Sequence, residues 1–411
     1  MKRVLPYLCF LALTTAWSQT PTVRTGIEVL RDRGFDILLG KHVGLITNPT
    51  GIDASLRSTI DILASAKGVK LVALFGPEHG VRGNYAAGDT IDSATDPRTG
   101  IPVFSLYGKT SKPTPEMLKG VDALIYDIQD IGCRSYTYIS TMGLAMEAAA
   151  AAGIPFVVLD RPNPLGGMRV EGSIVEKGFF SSISKYPIPY VYGLTCGELA
   201  RLLKGERIIS GADRCSLQVV PMQGWRRSMR FTDTGLPWVP TSPHVPEETT
   251  PAYVVATGIV GELGTISVGV GYTIPFRTFA APWIEPYEFA NALNARKLRG
   301  VLFRPIIFRP FYATMKDTTL FGVQIYITDE RRADLLGLEF QLLEVHHRLY
   351  PDRNPFTLAD PSRLKAFDRA VGTDKLRKAF IKRMLFADVE GYLNKDKMEF
   401  RKTSARYFLY K

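Results

Sequence analysis

Between residues 41 and 160 the chain alternates short apolar runs with helix-patterned stretches, and this rhythm restricts the fold more than any other feature. The runs at 42–47, 70–75, 103–106, 123–126 and 156–159 have the length of strands. They are continuously apolar rather than alternating, which marks strands covered on both faces, as in a parallel sheet flanked by helices. Residues 56–66, 115–119 and 138–152 are expected as the intervening helices, the last ended by Gly153 and Pro155. The expected fold class is therefore α/β, with βα units around a mostly parallel sheet. Thr195 and Glu198 have capping-box spacing ahead of an apolar run, so another helix should start there.

Composition changes at the Pro-dense stretch 238–246, which is read as the junction between domains. The length of 411 residues suits two. The expected division is a signal segment at 1–18, a first domain at 22–246 and an α+β second domain at 247–411. In the second, a strand is expected at 321–328 and helices at 286–296, 334–350 and 373–383. His346 and His347 fall on one of these helices and are read as helix surface rather than metal ligands.

Lys2 and Arg3, the apolar stretch 4–16 and the small-x-small site Ala16-Trp17-Ser18 have the form of a secretory signal. No later apolar run is long enough to span a bilayer, so a soluble protein, periplasmic or secreted, is expected after signal removal. The remaining Cys133, Cys196 and Cys215 form neither a disulfide framework nor a zinc knuckle. The formal charge of +11 is dispersed, with no Lys/Arg block or aromatic-basic motif, so no nucleic-acid partner is expected. Gly108-Lys109-Thr110 lacks the leading Gly of a phosphate loop, and Gly269-Val270-Gly271 lacks the third Gly of a dinucleotide fingerprint. With no G-x-S-x-G elbow and no H-E-x-x-H helix either, neither a cofactor nor a metal is expected. The sequence does not indicate an oligomeric state.

Ligands of open α/β sheets bind beyond the carboxyl ends of the strands, so the first polar residues after each run are the site candidates. After the first run comes Asn48; after the second, Glu78, His79 and Arg82 in a turn framed by Gly76, Pro77 and Gly80. The fourth run leads into Asp127, Gln129, Asp130, Arg134, Tyr136 and Tyr138, and the fifth ends in Asp160, Arg161 and Asn163. Several carboxylates, a few Arg and several Tyr suit a sugar, whose hydroxyls need paired donors and acceptors and whose apolar faces rest on aromatic rings. The same carboxylates with His79 would also suit a metal-dependent hydrolase.

Taken together, the motifs resemble those of the exported exo-β-N-acetylmuramidases, long known as a domain of unknown function. The matching segments are Gly44-Leu45-Ile46-Thr47-Asn48-Pro49, Gly76-Pro77-Glu78-His79-Gly80, Asp127-Ile128-Gln129-Asp130-Ile131-Gly132 with Arg134-Ser135-Tyr136-Thr137-Tyr138, and Asp160-Arg161-Pro162-Asn163-Pro164. Gly197-Glu198-Leu199-Ala200, Ser242-Pro243-His244-Val245-Pro246, Pro275-Phe276, Ala281-Pro282-Trp283 and the closing Arg406-Tyr407-Phe408-Leu409-Tyr410 extend the match over nearly the whole mature chain. The resemblance implies a Rossmann-like first domain, a smaller second domain covering it, and an active cleft between them. It also implies release of N-acetylmuramic acid from the non-reducing end of peptidoglycan fragments, with Glu78 as the catalytic acid. This chain departs from the family pattern at Val268, Val270 and Ile274, where many members carry charged residues in a Gly-rich run. A paralogous hydrolase with altered sugar preference is thus an alternative, as is a peptidoglycan-binding protein without catalysis.

Glycoside hydrolysis needs an acid for the leaving oxygen and a second group that attacks or activates water. Glu78 is expected in the first role. For the second, Asp130 and Asp127 lead, Asp160 follows, and the substrate's own acetamido group is an alternative. His79 is expected to orient Glu78 or bond to substrate, and Arg134 or Arg161 to hold the lactyl carboxylate as a two-pronged clamp. Asn48, Arg82, Gln129, Tyr136, Tyr138, Asp160, Asn163, His244 and Glu262 complete the expected substrate contacts.

Overall fold

The computed structural model describes residues 23–78, 80–83, 94–108 and 110–411. The expected signal segment and His79 lie outside these residues. The first domain carries strands β1 (His42–Thr47), β2 (Lys70–Gly76), β3 (Ala94–Thr95), β4 (Pro102–Ser105), β5 (Ala123–Asp127), β6 (Phe156–Leu159) and β7 (Leu217–Val220). They form one sheet in the order β3-β4-β2-β1-β5-β6-β7, parallel throughout except for the short edge strand β3. Every residue of β5 and β6 is buried, as their unbroken hydrophobicity requires. The chain runs outward from β1 through β2 to β4 and then returns to β5 on the other side of β1. That reversal makes the crevice above β1 and β5 the place where ligands are expected.

Helices α1 (Gly26–Asp32) and α2 (Thr59–Ala64) supply residues to the core on one face of the sheet; α3 (Tyr138–Ala152) and α4 (Cys196–Gly205) supply the other. The expected helix at 115–119 is a turn: Pro113 and Pro115 restrict the backbone, and Gly120 at φ 78° turns it into the approach to β5. Thr195 and Glu198 do form the capping box that starts α4.

Beyond residue 249 come α5 (Thr250–Gly261), β8 (Thr278–Ala281), α6 (Pro286–Asn294), β9 (Val301–Phe308), β10 (Leu320–Ile327) and α7 (Leu335–Leu349). The three strands form an antiparallel sheet in the order β8-β10-β9, so the second domain is α+β. Glu339 of α7 is fully buried and accepts the N–H groups of Ile259 and Val260 in α5, pinning the two helices together. His346 is not helix surface, contrary to expectation. It is buried among Phe279, Phe289 and Tyr350 and accepts from Trp283 Nε1 at 3.0 Å, and burial pulls its pKa down to about 4. An aromatic pocket with one indole donor favours the neutral ring.

The two domains share a core. Ile131, Cys133, Leu165, Tyr190 and Val191 of the first pack in the same cluster as α5 and α7 of the second. The closing segment then returns to the first domain, where Arg201 holds the carbonyls of Tyr407 and Phe408 and Trp225 packs edge-on against Tyr410. Cys133, Cys196 and Cys215 are free and buried.

Candidate active site

A cavity of about 270 Å³ lies between the domains. The turn after β2 brings Glu78 into it, the segment after β5 brings Ser135 to Tyr138, and the Pro-dense stretch brings Ser242 to Val245. Val254 and Phe276 close it from the second domain. Among the described residues that line it, Glu78 is the one carboxylate. The stretch read as a junction is therefore a wall of the site.

Local packing fixes that wall. The Tyr136 hydroxyl donates to Thr241 Oγ1 at 2.8 Å and the Tyr138 hydroxyl to the Thr241 carbonyl at 2.6 Å, while the two rings meet edge-on at 4.9 Å. Burial pushes both phenols up, so they remain neutral donors. His244 Nε2 contacts the Tyr312 hydroxyl at 2.9 Å with the rings stacked. Phe276 holds its ring in the wall from a left-handed backbone with φ 64°, an uncommon state for a bulky residue, and its carbonyl is held by Thr257 at 2.8 Å. Tyr107 hydrogen-bonds to Glu78, and burial together with that carboxylate raises the phenol's pKa.

Of the other expected site residues, those that follow the strands stand at the same sheet edge, and none of them, nor Glu262 of the second domain, lines this cavity. Asp127 is fully buried in an ion pair with Arg161, at 2.5 and 3.0 Å, and accepts from Thr59 at 2.5 Å. Arg161 spends a further N–H on the Ile52 carbonyl. Asp160 accepts from Tyr410, Thr195, the Gly197 N–H and the Arg161 N–H; burial raises its pKa to about 6. Gln129 donates to the carbonyls of Asp130 and Pro162, and Asn163 bridges Leu194 and Leu165. Arg82 forks onto Asp96 at 2.8 and 3.0 Å. Glu262 caps the end of α5, where burial raises its pKa and Arg363 opposes the shift.

Arg134 departs furthest from expectation. All five of its N–H groups are used: on Ser184 Oγ and on the carbonyls of Ser173, Ile188, Ala370 and Val371. Completely buried without a carboxylate, it has its pKa pulled down to about 10. It is a strut between the domains, and no donor remains for a substrate carboxylate. Gly372 ends the helix Pro361–Val371 at φ 90°, and a Cβ there would stand 2.9 Å from Arg134 Nη2, so the strut requires a glycine at this place.

Asp130 is different again. Its Oδ2 accepts from Tyr192 and from the Gly132 N–H at 2.7 Å, whereas its buried Oδ1 has no hydrogen-bond partner, nor has the buried Asn48 Nδ2. Burial raises the Asp130 pKa to about 6. The Asp130 charge adds to the upward shift of the Tyr136 and Tyr138 phenols. Among the described residues, no group of three or more His, Cys, Asp or Glu side chains could hold a metal ion.

Sequence reasoning missed Tyr107, Ile183, Val254 and the wall role of Phe276. Tyr107 follows β4 closely and answers to the same strand-end rule that found Glu78. Ile183 and Val254 are ordinary apolar residues with no distinguishing signal.

Two family models match nearly end to end: exo-β-N-acetylmuramidase NamZ, N-terminal, over residues 43–249, and its C-terminal counterpart over residues 253–410. The chain is 44% identical over 393 residues to the peptidoglycan β-N-acetylmuramidase NamZ of Bacillus subtilis, covering 96% of this chain and 92% of that protein. A crystal structure of a DUF1343 family protein from Bacteroides fragilis superposes with a TM-score of 0.91 at 53% identity, covering 95% of this chain and 99% of that one. A second DUF1343 protein of that organism gives a TM-score of 0.74 at 27% identity, with the same coverage.

Proposed function

The chain belongs to the NamZ exo-β-N-acetylmuramidase family, and from that premise we propose that it is an exported glycosidase removing terminal N-acetylmuramic acid from the non-reducing end of peptidoglycan fragments. The observation that carries the reading is Glu78 as the one carboxylate among the described residues that line an aromatic-walled cavity. One carboxylate can protonate the leaving glycosidic oxygen; hydrolysis then needs a second group at the anomeric carbon.

Asp127 is committed to Arg161, and Asp130 does not line the cavity, which favours the substrate's own acetamido oxygen as nucleophile. In that reaction the acetamido oxygen bonds to C1 as the glycosidic C–O bond breaks and Glu78 gives its proton to the leaving oxygen. Water, deprotonated by the Glu78 carboxylate, then opens the cyclic intermediate. Tyr136, Tyr138 and Phe276 supply faces for the apolar side of the sugar ring.

The test is hydrolysis of paired chromogenic glycosides of N-acetylmuramic acid and N-acetylglucosamine. Preference for the muramic-acid substrate supports the reading, and hydrolysis of neither removes it. Progressive fluorination of the acetamide should slow turnover stepwise if that group attacks; a flat response would hand the second role to a protein carboxylate.

A further inference from the structure

A second cleft, of about 730 Å³, opens between the domains and shares no lining residue with the Glu78 cavity. Its base is apolar, with Leu165, Val170, Leu336 and Leu393 all buried. Seven Arg and Lys side chains and three carboxylates line the cleft; Arg227 is spent on Glu198 and Arg169 on Glu171, so the cationic excess is carried by Arg332, Lys397 and Arg401. Two of those carboxylates, Glu171 and Glu330, have pKa values raised by burial, and Glu171 is already bound to Arg169. Around the rim, Arg332 and Lys397 have no ion-pair partner among the described residues, and Arg331 reaches Asp233 only at 3.6 Å. Arg401 gives one N–H to the Met168 carbonyl. Arg230 already faces Asp233 at 3.8 Å and Glu330 at 3.9 Å.

The chemistry of the occupant follows from where the donors are. A phosphate site built on the backbone needs converging N–H groups, which the first turn of α7 at the cleft wall would offer. Those donors are taken, the Leu336 N–H by Glu171 and the Gly337 N–H by Asp334. What remains is separate cations spaced around an apolar base, which matches separate carboxylates on a chain with small aliphatic side chains between them.

We propose that this cleft binds an acidic peptide, its aliphatic groups on Leu165, Val170 and Leu336 and its carboxylates on Arg331, Arg332, Lys397 and Arg401. Resting on the glycosidase reading, the peptide is one carried by the substrate polymer, since muramic acid in peptidoglycan bears short peptides with free carboxylates. The cleft then holds the polymer while the Glu78 cavity works on its end.

Calorimetry on the full chain tests this with an acetylated tetrapeptide alternating alanine and glutamate, its glutamine analogue, and tripolyphosphate. The acidic peptide should bind at least ~10-fold more tightly than the analogue, and R332E/K397E should weaken it by at least ~10-fold. The same variant should hydrolyse a small muramic-acid glycoside at the wild-type rate. The neutral R332Q and K397Q variants should each give a smaller loss of peptide affinity in the same direction, which guards against a misfolded double variant. Equal binding of the two peptides, indifference to the substitutions, or tighter binding of tripolyphosphate would overturn the proposal. Binding is read without turnover: an inactive protein that binds peptide overturns the glycosidase reading alone, and an active one without peptide affinity overturns the cleft alone.

Discussion

Tyr410 donates its hydroxyl to Asp160 Oδ2 at 2.6 Å, across 250 positions of sequence, and so ties the closing segment of the chain to the end of β6. The same hydroxyl accepts the Met222 N–H at 2.9 Å. Tyr410→Phe should therefore lower unfolding stability by about 1.5–3 kcal/mol, the usual worth of a hydrogen bond to a charged group. Urea titration measures it; a change of a few tenths of a kcal/mol would mean that the Tyr410 hydroxyl adds nothing to the hold of the closing segment on the first domain.

Arg134 is expected to act on stability and not on substrate choice. Arg134→Lys leaves carbonyls of Ala370, Val371, Ser173 and Ile188 short of donors inside a dry strut, a loss of about 2–4 kcal/mol. Turnover per folded molecule should fall equally for muramic-acid and glucosamine substrates. Selective loss on the lactyl-bearing substrate would return Arg134 to the clamp role that the sequence suggested.

Asp130 makes stability depend on pH in a set direction. Its folded pKa of about 6 lies above the ordinary 3.8, so the folded state holds this proton more tightly than the unfolded chain does. The resulting stabilisation is complete below pH 3.8 and is lost as pH rises through about 6. Asp130→Asn cannot lose that proton, so its stability relative to wild type should climb across the same interval. Parallel stability curves for the two proteins from pH 4 to 7 would contradict this.

The sheet was readable because buried parallel strands need unbroken apolar runs, and the five runs between residues 42 and 159 correspond to β1, β2, β4, β5 and β6. The strand-end rule pointed to Glu78, which lines the cavity, but could not separate it from Asp127 and Asp160, which occupy equivalent positions and do not. What divides them is partners far away in sequence: Arg161 and Thr59 for one, Thr195 and Tyr410 for the other. Arg134 was misread for the same reason, since its partners at 370 and 371 lie in another domain. The stretch 238–246 reads as a junction because of its proline density; proline also fixes an extended backbone, and that makes it a wall of the cavity as well.

The aromatic wall should govern binding. Tyr136→Ala removes a ring from the cavity and the bond to Thr241, and should raise KM about 10-fold, whereas Tyr136→Phe keeps the ring and should cost about 1 kcal/mol or less. Steady-state kinetics on the chromogenic glycoside separates the two. Equal effects would mean that the hydroxyl's hold on Thr241, not the ring, is what binding needs.

The central claim is that Glu78 delivers the proton to the leaving oxygen, and kcat of Glu78→Gln on a muramic-acid glycoside with a poor leaving group tests it most directly. Loss of a general acid should cut kcat by roughly 10²–10⁴-fold with KM little changed, and substrates with good leaving groups should recover much of the rate. Turnover close to that of the wild type on the poor leaving group would contradict the account.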